Sequence, residues 1–371
     1  MHSAPRGELS PVDVLTFRRK LIHWYRSNAR DLPWRGIRDP YRTWVSEVML
    51  QQTRVAAVLD HYERFLRMFP TVFALALAPE AEVLACWSGL GYYRRARMLH
   101  KAAQFLVSER AGVIPETSVG LRTLPGVGEY TAAAIASIAF GESIAVVDGN
   151  VERVLLRVTG HAEDTSAAGR NFIRIQAAAL VPQKRLADTT NAAGDHNQAM
   201  MELGATLCLP HSPLCLDCPV RDLCRTRGEH VTRPRGAQKS HPAAYLLATR
   251  KRGITTEVLL ERRKPHASLM PGMIELPPLP IAAVADREPL LRLRHSITNT
   301  NYYVSIYAQP DSSDRALRKA IRATADELLW QPVPKLHALP LTGLARKVLL
   351  RLDLMSVVGP ENPKRSVDSK E

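Results

Sequence analysis

The chain is expected to fold as a mainly α-helical domain followed by an α+β domain. Three observations carry this. Apolar residues recur at helical spacing up to about residue 225, with little strand-like alternation. Residues 225–242, RTRGEHVTRPRGAQKSHP, are basic, polar and broken by Pro and Gly, as a linker would be. Beyond them come short apolar runs rich in β-branched and aromatic residues. At 371 residues the chain is also too long for one small core.

Taken in order, residues 9–30 are expected to be helical, with Val14, Phe17, Leu21 and Trp24 at apolar spacing. Leu32-Pro33-Trp34-Arg35 breaks that pattern. Asp39-Pro40 supplies a cap and a proline at the first helical position, and the helix it opens carries WVSEVMLQQT, 44–53. Further helices are expected at 55–68, 80–87, 93–108, 118–123, 130–140, 151–158, 167–181 and 196–206. Strands are expected at 244–249, 256–261 and 302–308, with helices again at 314–329 and 342–354. The first domain is set at 9–228, the linker at 229–242, the second domain at 243–355 and a disordered tail at 356–371. No internal repeat is visible.

Fifty Lys and Arg against 36 acidic residues give a net charge of +14, which favours a polyanionic partner over an acidic or neutral one. No apolar run reaches membrane-spanning length, and MHSAPRGELS lacks a signal-peptide pattern. A cytoplasmic location is therefore expected, nucleoid-associated in a bacterium, with no membrane partner.

Four of the five cysteines fall together as Cys208-x6-Cys215-x2-Cys218-x5-Cys224, and Cys86 stands alone as a buried thiol. In a reducing compartment so tight a group points to metal and not to disulfides. Four thiolates can bind zinc or an iron–sulfur cluster. Only one pair has the tight spacing of zinc sites, which is easier to reconcile with a larger cubane cluster; zinc remains the alternative. Either would present Arg221, Arg225 and Arg227 on a rigid basic surface.

The stretch 124–158, LPGVGEYTAAAIASIAFGESIAVVDGNVERVLLRV, organises the first domain. Its glycines allow a tight turn into an alanine-rich helix, and the amides of Gly126, Val127 and Gly128 suit a phosphate. Asp148 stands at a second helix start, where the helix dipole favours a carboxylate. Glu47 lies between Trp44-Val45 and Val48-Met49-Leu50; burial there would raise its pKa and keep it protonated near neutrality.

The hairpin, Asp148 and the cysteine loop together resemble the helix-hairpin-helix DNA glycosylases related to endonuclease III, and within them the MutY-type adenine glycosylases. The blocks are WVSEVMLQQT (44–53), WSGLGYYRRAR (87–97), GVGEYTAAAIASIAFG (126–141), VDGNVERVL (147–155) and NQAMMELGATLC (197–208), over roughly residues 15–225. The resemblance implies excision of adenine mispaired with 8-oxoguanine or guanine in double-stranded DNA, by a monomer holding one [4Fe-4S] cluster on Cys208, Cys215, Cys218 and Cys224. It implies that Glu47 protonates adenine at N7 and that Asp148, held by Asn150, stabilises the sugar cation. Tyr130 stands where bifunctional relatives carry a lysine, so little strand-cleaving lyase activity is expected; Tyr130 is expected to hydrogen-bond near Asp148. Gln52 and Thr53 would enter near the opposite base and Tyr92 would wedge into the stack. Arg30, Trp34 and Gln198 would line the adenine pocket, and Arg94, Arg95 and Arg97 would meet phosphates.

Residues 243–355 resemble, more weakly, the Nudix-like recognition domain of that family. The carboxylate signature of Nudix hydrolases is absent, so no diphosphate hydrolysis is expected. Where the family reads 8-oxoguanine with a Phe-Ser-His turn, this chain has Ile297-Thr298-Asn299, with Thr298 keeping a hydroxyl and Asn299 replacing the histidine. A non-catalytic DNA-binding protein and a thymine-glycol-type glycosylase/lyase are the rival readings. The pair Glu47 and Asp148 opposes the first, and Tyr130 with the extra domain opposes the second.

Overall fold

A computed structural model describes residues 10–183, 190–230, 238–309 and 327–356. The chain divides into two compact units, 1–77 with 98–235, and 78–97 with 236–371. The second unit is thus built from two separate stretches, and the segment 78–97 belongs with the C-terminal strands. Among the described residues no helix is long and apolar enough to cross a membrane.

The first unit is helical. Its elements are α1 (Pro11–Asn28), α2 (Pro40–Leu50), α3 (Val55–Met68), α4 (Val72–Leu77), most of α6 (Arg94–Arg110), α7 (Ser118–Leu121), α8 (Glu129–Phe140), α9 (Gly149–Thr159), α10 (Ala167–Leu180) and α11 (Ala192–Thr206). Side chains mark the starts: Ser10 forms a capping box with Asp13, and Asp39, Thr117, Asp148, Ser166 and Asn191 each accept an amide of the first turn. α8 is buried from Thr131 to Ile138, which only a run of small residues permits with helices packed close around it. A second core gathers Phe17 and Leu21 of α1 with Val154 and Leu155 of α9 and Leu203 of α11. α11 starts a turn before the expected 196, because Asn191 caps it. The short helix α4 was not expected; six residues are too few for a readable period.

The second unit holds α5 (Glu80–Trp87), the strands β1 (Lys239–Leu247), β2 (Thr249–Arg252), β3 (Thr255–Arg262), β4 (Ile274–Glu275), β5 (Pro278–Leu279), β6 (Leu291–Ile297), β7 (Thr300–Ala308) and β8 (Glu327–Pro332), and α12 (Gly343–Arg351). One sheet runs β5-β1-β7-β6, with β1 and β7 parallel from Lys239↔Thr300 to Leu247↔Ala308. The other runs β2-β3-β4, with β8 also on β3. Val258 and Leu260 of β3, Val304 and Ile306 of β7, and Leu344 and Val348 of α12 share one core.

Three expectations need correction. Residues 239–242, assigned to the linker, are paired strand. Of the helical pattern read over 314–329, residues 327–329 are strand β8, and the rest lies outside the described residues, as does the tail from 357. Strands β2 and β6 went unread because TRKR has no apolar residue and because Arg292 and Arg294 fill the outward positions of an edge strand.

Glu275 gives the second unit a measurable pH dependence. Burial pushes its carboxyl up to about 7 from the ordinary 4.5, against hydrogen bonds from the Thr342 hydroxyl and the Leu276 amide. The folded state therefore binds this proton more tightly, a contribution complete below pH 4.5 and lost as the pH rises to about 7. Glu275→Gln should match the parent in thermal melts at low pH and exceed it above pH 7, by up to about 3 kcal/mol. Parallel stability profiles would show that Glu275 is not the titrating group.

Candidate active site

A cleft of about 800 Å³ opens in the first unit, lined among others by Arg30, Trp34, Glu47, Thr53, Tyr130, Asp148, Asn150, Gln198 and Glu202. α2, α8, α9 and α11 supply most of its polar side chains.

Glu47 projects from α2, whose residues 43–49 are all buried, and is itself 5 % exposed. Burial pushes its carboxyl up to about 7; a hydrogen bond from Tyr130 lowers it and the nearby charge of Asp148 raises it. The Tyr130 hydroxyl, expected to hydrogen-bond near Asp148, donates to Glu47 Oε2 at 2.8 Å, with Asp148 close enough to act on it electrostatically. Burial and the two carboxyls raise the tyrosine well above its usual range.

Asp148 is the N-cap of α9. Its Oδ1 accepts the amides of Asn150 and Val151 at 2.9 and 2.8 Å, and its Oδ2 accepts Asn150 Nδ2 at 2.9 Å. Asn150 in turn accepts from Arg153, whose guanidinium also donates to the carbonyls of Cys208 and Gly204. A Cβ on Gly204 would stand 2.6 Å from that of Asn150, so a glycine is required where α11 crosses α9. The buried Asn197 braces the approach to Asp148, bonding the Val146 amide and the Ile144 carbonyl.

Glu202 went unread in the sequence. It is fully buried on α11 and accepts from Arg30 and Arg35. Burial pushes its carboxyl up, but these hydrogen bonds outweigh burial and hold it at about 2. The signal was present: Glu202 sits in Met200-Met201-Glu202-Leu203, a carboxylate among apolar neighbours, as Glu47 does. The cleft thus combines one carboxyl poised to carry a proton, one capped carboxylate and one carboxylate tied to two guanidiniums. Trp34 packs edge-on against Tyr62, and Gln198 accepts from the Tyr25 hydroxyl.

The remaining expected residues lie apart from these. Gln52 is exposed at φ +55 beside Thr53 and is not in the cleft wall. In the turn before α8, Gly126 has φ +75 and lies where a Cβ would be 2.4 Å from that of Met98, so no other residue fits. The Val127 amide is spent on the Leu124 carbonyl, contrary to its expected place among three phosphate-facing amides. Gly128 caps α8. Tyr92, Thr298 and Asn299 belong to the second unit: Tyr92 has φ +49, and Thr298-Asn299 is the exposed turn between β6 and β7, with Thr298 at φ +51.

Cys208, Cys215, Cys218 and Cys224 are free thiols that line one narrow pocket. Burial pushes the Cys218 thiol up to about 11. Arg157 donates to Cys208 Sγ, and the Arg227 amide donates to Cys224 Sγ. Among the described residues no three Cys, His, Asp or Glu side chains converge on one ion position. Four cysteine thiols lining one space are a donor set that zinc or an iron–sulfur cluster can use.

The chain is similar to known proteins over about three fifths of its length. A family profile described as "HhH-GPD superfamily base excision DNA repair protein" matches residues 45–174. The chain is 50 % identical over 224 residues to a Rattus norvegicus protein named adenine DNA glycosylase, covering 58 % of this chain and 42 % of that protein. It is 42 % identical over 221 residues to the protein of that name from Mycolicibacterium smegmatis, covering 59 % of this chain and 70 % of that one. The chain thus spans less than half the length of the rat relative. Among solved structures, a thermostable thymine-DNA glycosylase superimposes with a TM-score of 0.52 at 28 % identity, over 58 % of this chain and 97 % of that one.

Proposed function

Because the chain belongs to the MutY-type adenine DNA glycosylases of the HhH-GPD superfamily, we propose that it removes adenine mispaired with 8-oxoguanine or guanine from double-stranded DNA. The observation that carries the reading is the pairing, in one cleft, of a buried Glu47 with a raised pKa and a hydrogen-bond-capped Asp148. Breaking the N-glycosidic bond expels a poor leaving group and builds positive charge on the sugar. Glu47 donates its proton to the departing base, and Tyr130 fixes the orientation of its carboxyl. Asp148, aimed by Asn150 and the first amides of α9, stabilises the cation until water adds to the sugar carbon and loses a proton, leaving an abasic site. Arg30 and Glu202, with Trp34 and Gln198, hold the extruded base. Extrusion costs a few kcal/mol, and Gln52, Thr53 and Tyr92 offset it by filling the gap. Gly126, Val127 and Gly128 place the α8 N-terminus against a phosphate. Tyr130 cannot form a Schiff base, so the enzyme is monofunctional.

In the same reading the second unit is a Nudix-like recognition domain, and Thr298 and Asn299 at the β6–β7 turn read the 8-oxoguanine. Cys208, Cys215, Cys218 and Cys224 would hold a [4Fe-4S] cluster, which when bound cross-links residues 208–224. The protein acts as a cytoplasmic monomer.

Incubation with a duplex carrying A opposite 8-oxoguanine should give strand breaks only after hot alkali. Glu47→Gln and Asp148→Asn should each slow single-turnover release at least about 100-fold. Near-parent rates in either variant would remove that residue from the mechanism, and breaks without alkali would contradict monofunctional action. Thr298→Ala with Asn299→Ala should narrow the preference for 8-oxoguanine over guanine; an unchanged preference would reject the turn as the reader.

Release should slow as the pH rises through about 7, where Glu47 loses its proton. The Tyr130 hydrogen bond lowers that pKa, so Tyr130→Phe should move the falling limb to higher pH; a shift to lower pH would contradict the assignment. The purified protein should be brown, with about four iron and four sulfide per chain. Stoichiometric zinc in place of iron would overturn the cluster.

A further inference from the structure

Residues 88–93 form a loop with an unusual backbone. Gly89, Gly91 and Tyr92 all have positive φ, at +106, +71 and +49. Glycine takes that conformation at no cost; a tyrosine does so only where its surroundings hold it there. Here they do. The Trp87 indole and the Arg95 guanidinium both donate to the Gly91 carbonyl, at 3.2 Å each. The same guanidinium lies 5.5 Å from the Trp87 ring and 5.4 Å from the Tyr92 ring. The Tyr92 ring is nevertheless 43 % exposed, so this bracing presents it and does not bury it.

The loop is also hung from a distant part of its own unit. The Ser88 and Tyr93 hydroxyls both donate to the carbonyl of Leu341, at 2.8 and 3.1 Å. Ser88 is 1 % and Tyr93 4 % exposed, so water does not compete. Leu341 is itself fixed: the Ile274 amide donates to the Pro340 carbonyl, the Thr342 amide donates to the Ile274 carbonyl, and the Thr342 hydroxyl bonds Glu275. One compact unit therefore carries both Tyr92 and the turn at Thr298-Asn299.

We infer that Ser88 and Tyr93 are positioning residues, whose paired hydroxyls on the Leu341 carbonyl hold Tyr92 ready to enter the base stack. This rests on the proposed role of Tyr92 as the wedge. It assigns to the second unit the placement of the wedge as well as the reading of the opposite base. Neither Ser88 nor Tyr93 touches DNA; each acts through the residue next to it or through the loop.

A double-mutant cycle tests the coupling. Binding is measured by fluorescence anisotropy on a duplex with A opposite 8-oxoguanine, in the Glu47→Gln chain so that the duplex is not consumed. Tyr93→Phe should weaken binding about five-fold with Tyr92 present, the size of one buried hydrogen bond, and less than about two-fold beside Tyr92→Ala. Ser88→Ala should show the same pattern and serves where Tyr93→Phe does not fold. Equal losses with and without Tyr92, or no loss at all, would overturn the inference, because a merely structural contact is additive. If the parent chain released no adenine while the coupling persisted, the catalytic reading would fail and the positioning role would stand.

Discussion

Glu47 is a carboxyl group held almost out of water, 5 % exposed at the wall of a cleft, on a helix whose residues from Thr43 to Met49 are all buried. Most of what surrounds the cleft follows from that placement. An isolated buried carboxylate is costly, so the group holds its proton to about pH 7 and needs a donor able to stay protonated beside it. Tyr130, itself raised by the same burial, is that donor. The alanine-rich α8 brings the tyrosine close, because side chains of that size leave room for helices to approach. A carboxyl with so high a pKa in the folded state also destabilises it at alkaline pH, as Glu275 does in the second unit.

Asp148 meets the opposite treatment in the same cleft. It is given three hydrogen-bond donors at the start of α9. Its aim depends on Asn150, and Asn150 depends on Arg153, which bonds α11 and the first cysteine through backbone carbonyls. Two carboxyls with divergent surroundings are the arrangement that acid-assisted bond cleavage requires. Glu202 shows a third solution, ionised because two guanidiniums outweigh its burial.

Local chemistry was legible in the sequence and long-range partnership was not. Asp148 reads as a cap because the cap and its helix are adjacent, and Glu47 reads as buried because its neighbours are apolar. Tyr130 was read as hydrogen-bonding near Asp148, but its actual acceptor went unnamed, because 83 positions separate it from Glu47 and no local pattern records that pairing. Glu202 carried the same apolar context as Glu47, but its meaning lies in Arg30 and Arg35, 172 and 167 positions away. The hairpin glycines were read correctly as a turn, yet the Val127 amide was already engaged within it. In the second unit, arginines at the outward positions of β6 hid a strand that its inward Leu291, Leu293 and Ile297 specify.

Ser88 finds its acceptor 253 positions later in the chain, and Tyr93 finds the same one after 248. On the ribosome, segment 78–97 emerges long before the strands that complete its unit. It must wait, with Ser88 and Tyr93 lacking their shared acceptor, while the rest of the helical unit is still being made. A fragment stopped at residue 230 would never end that wait. A division of the chain at residue 230 would part segment 78–97 from the rest of its unit.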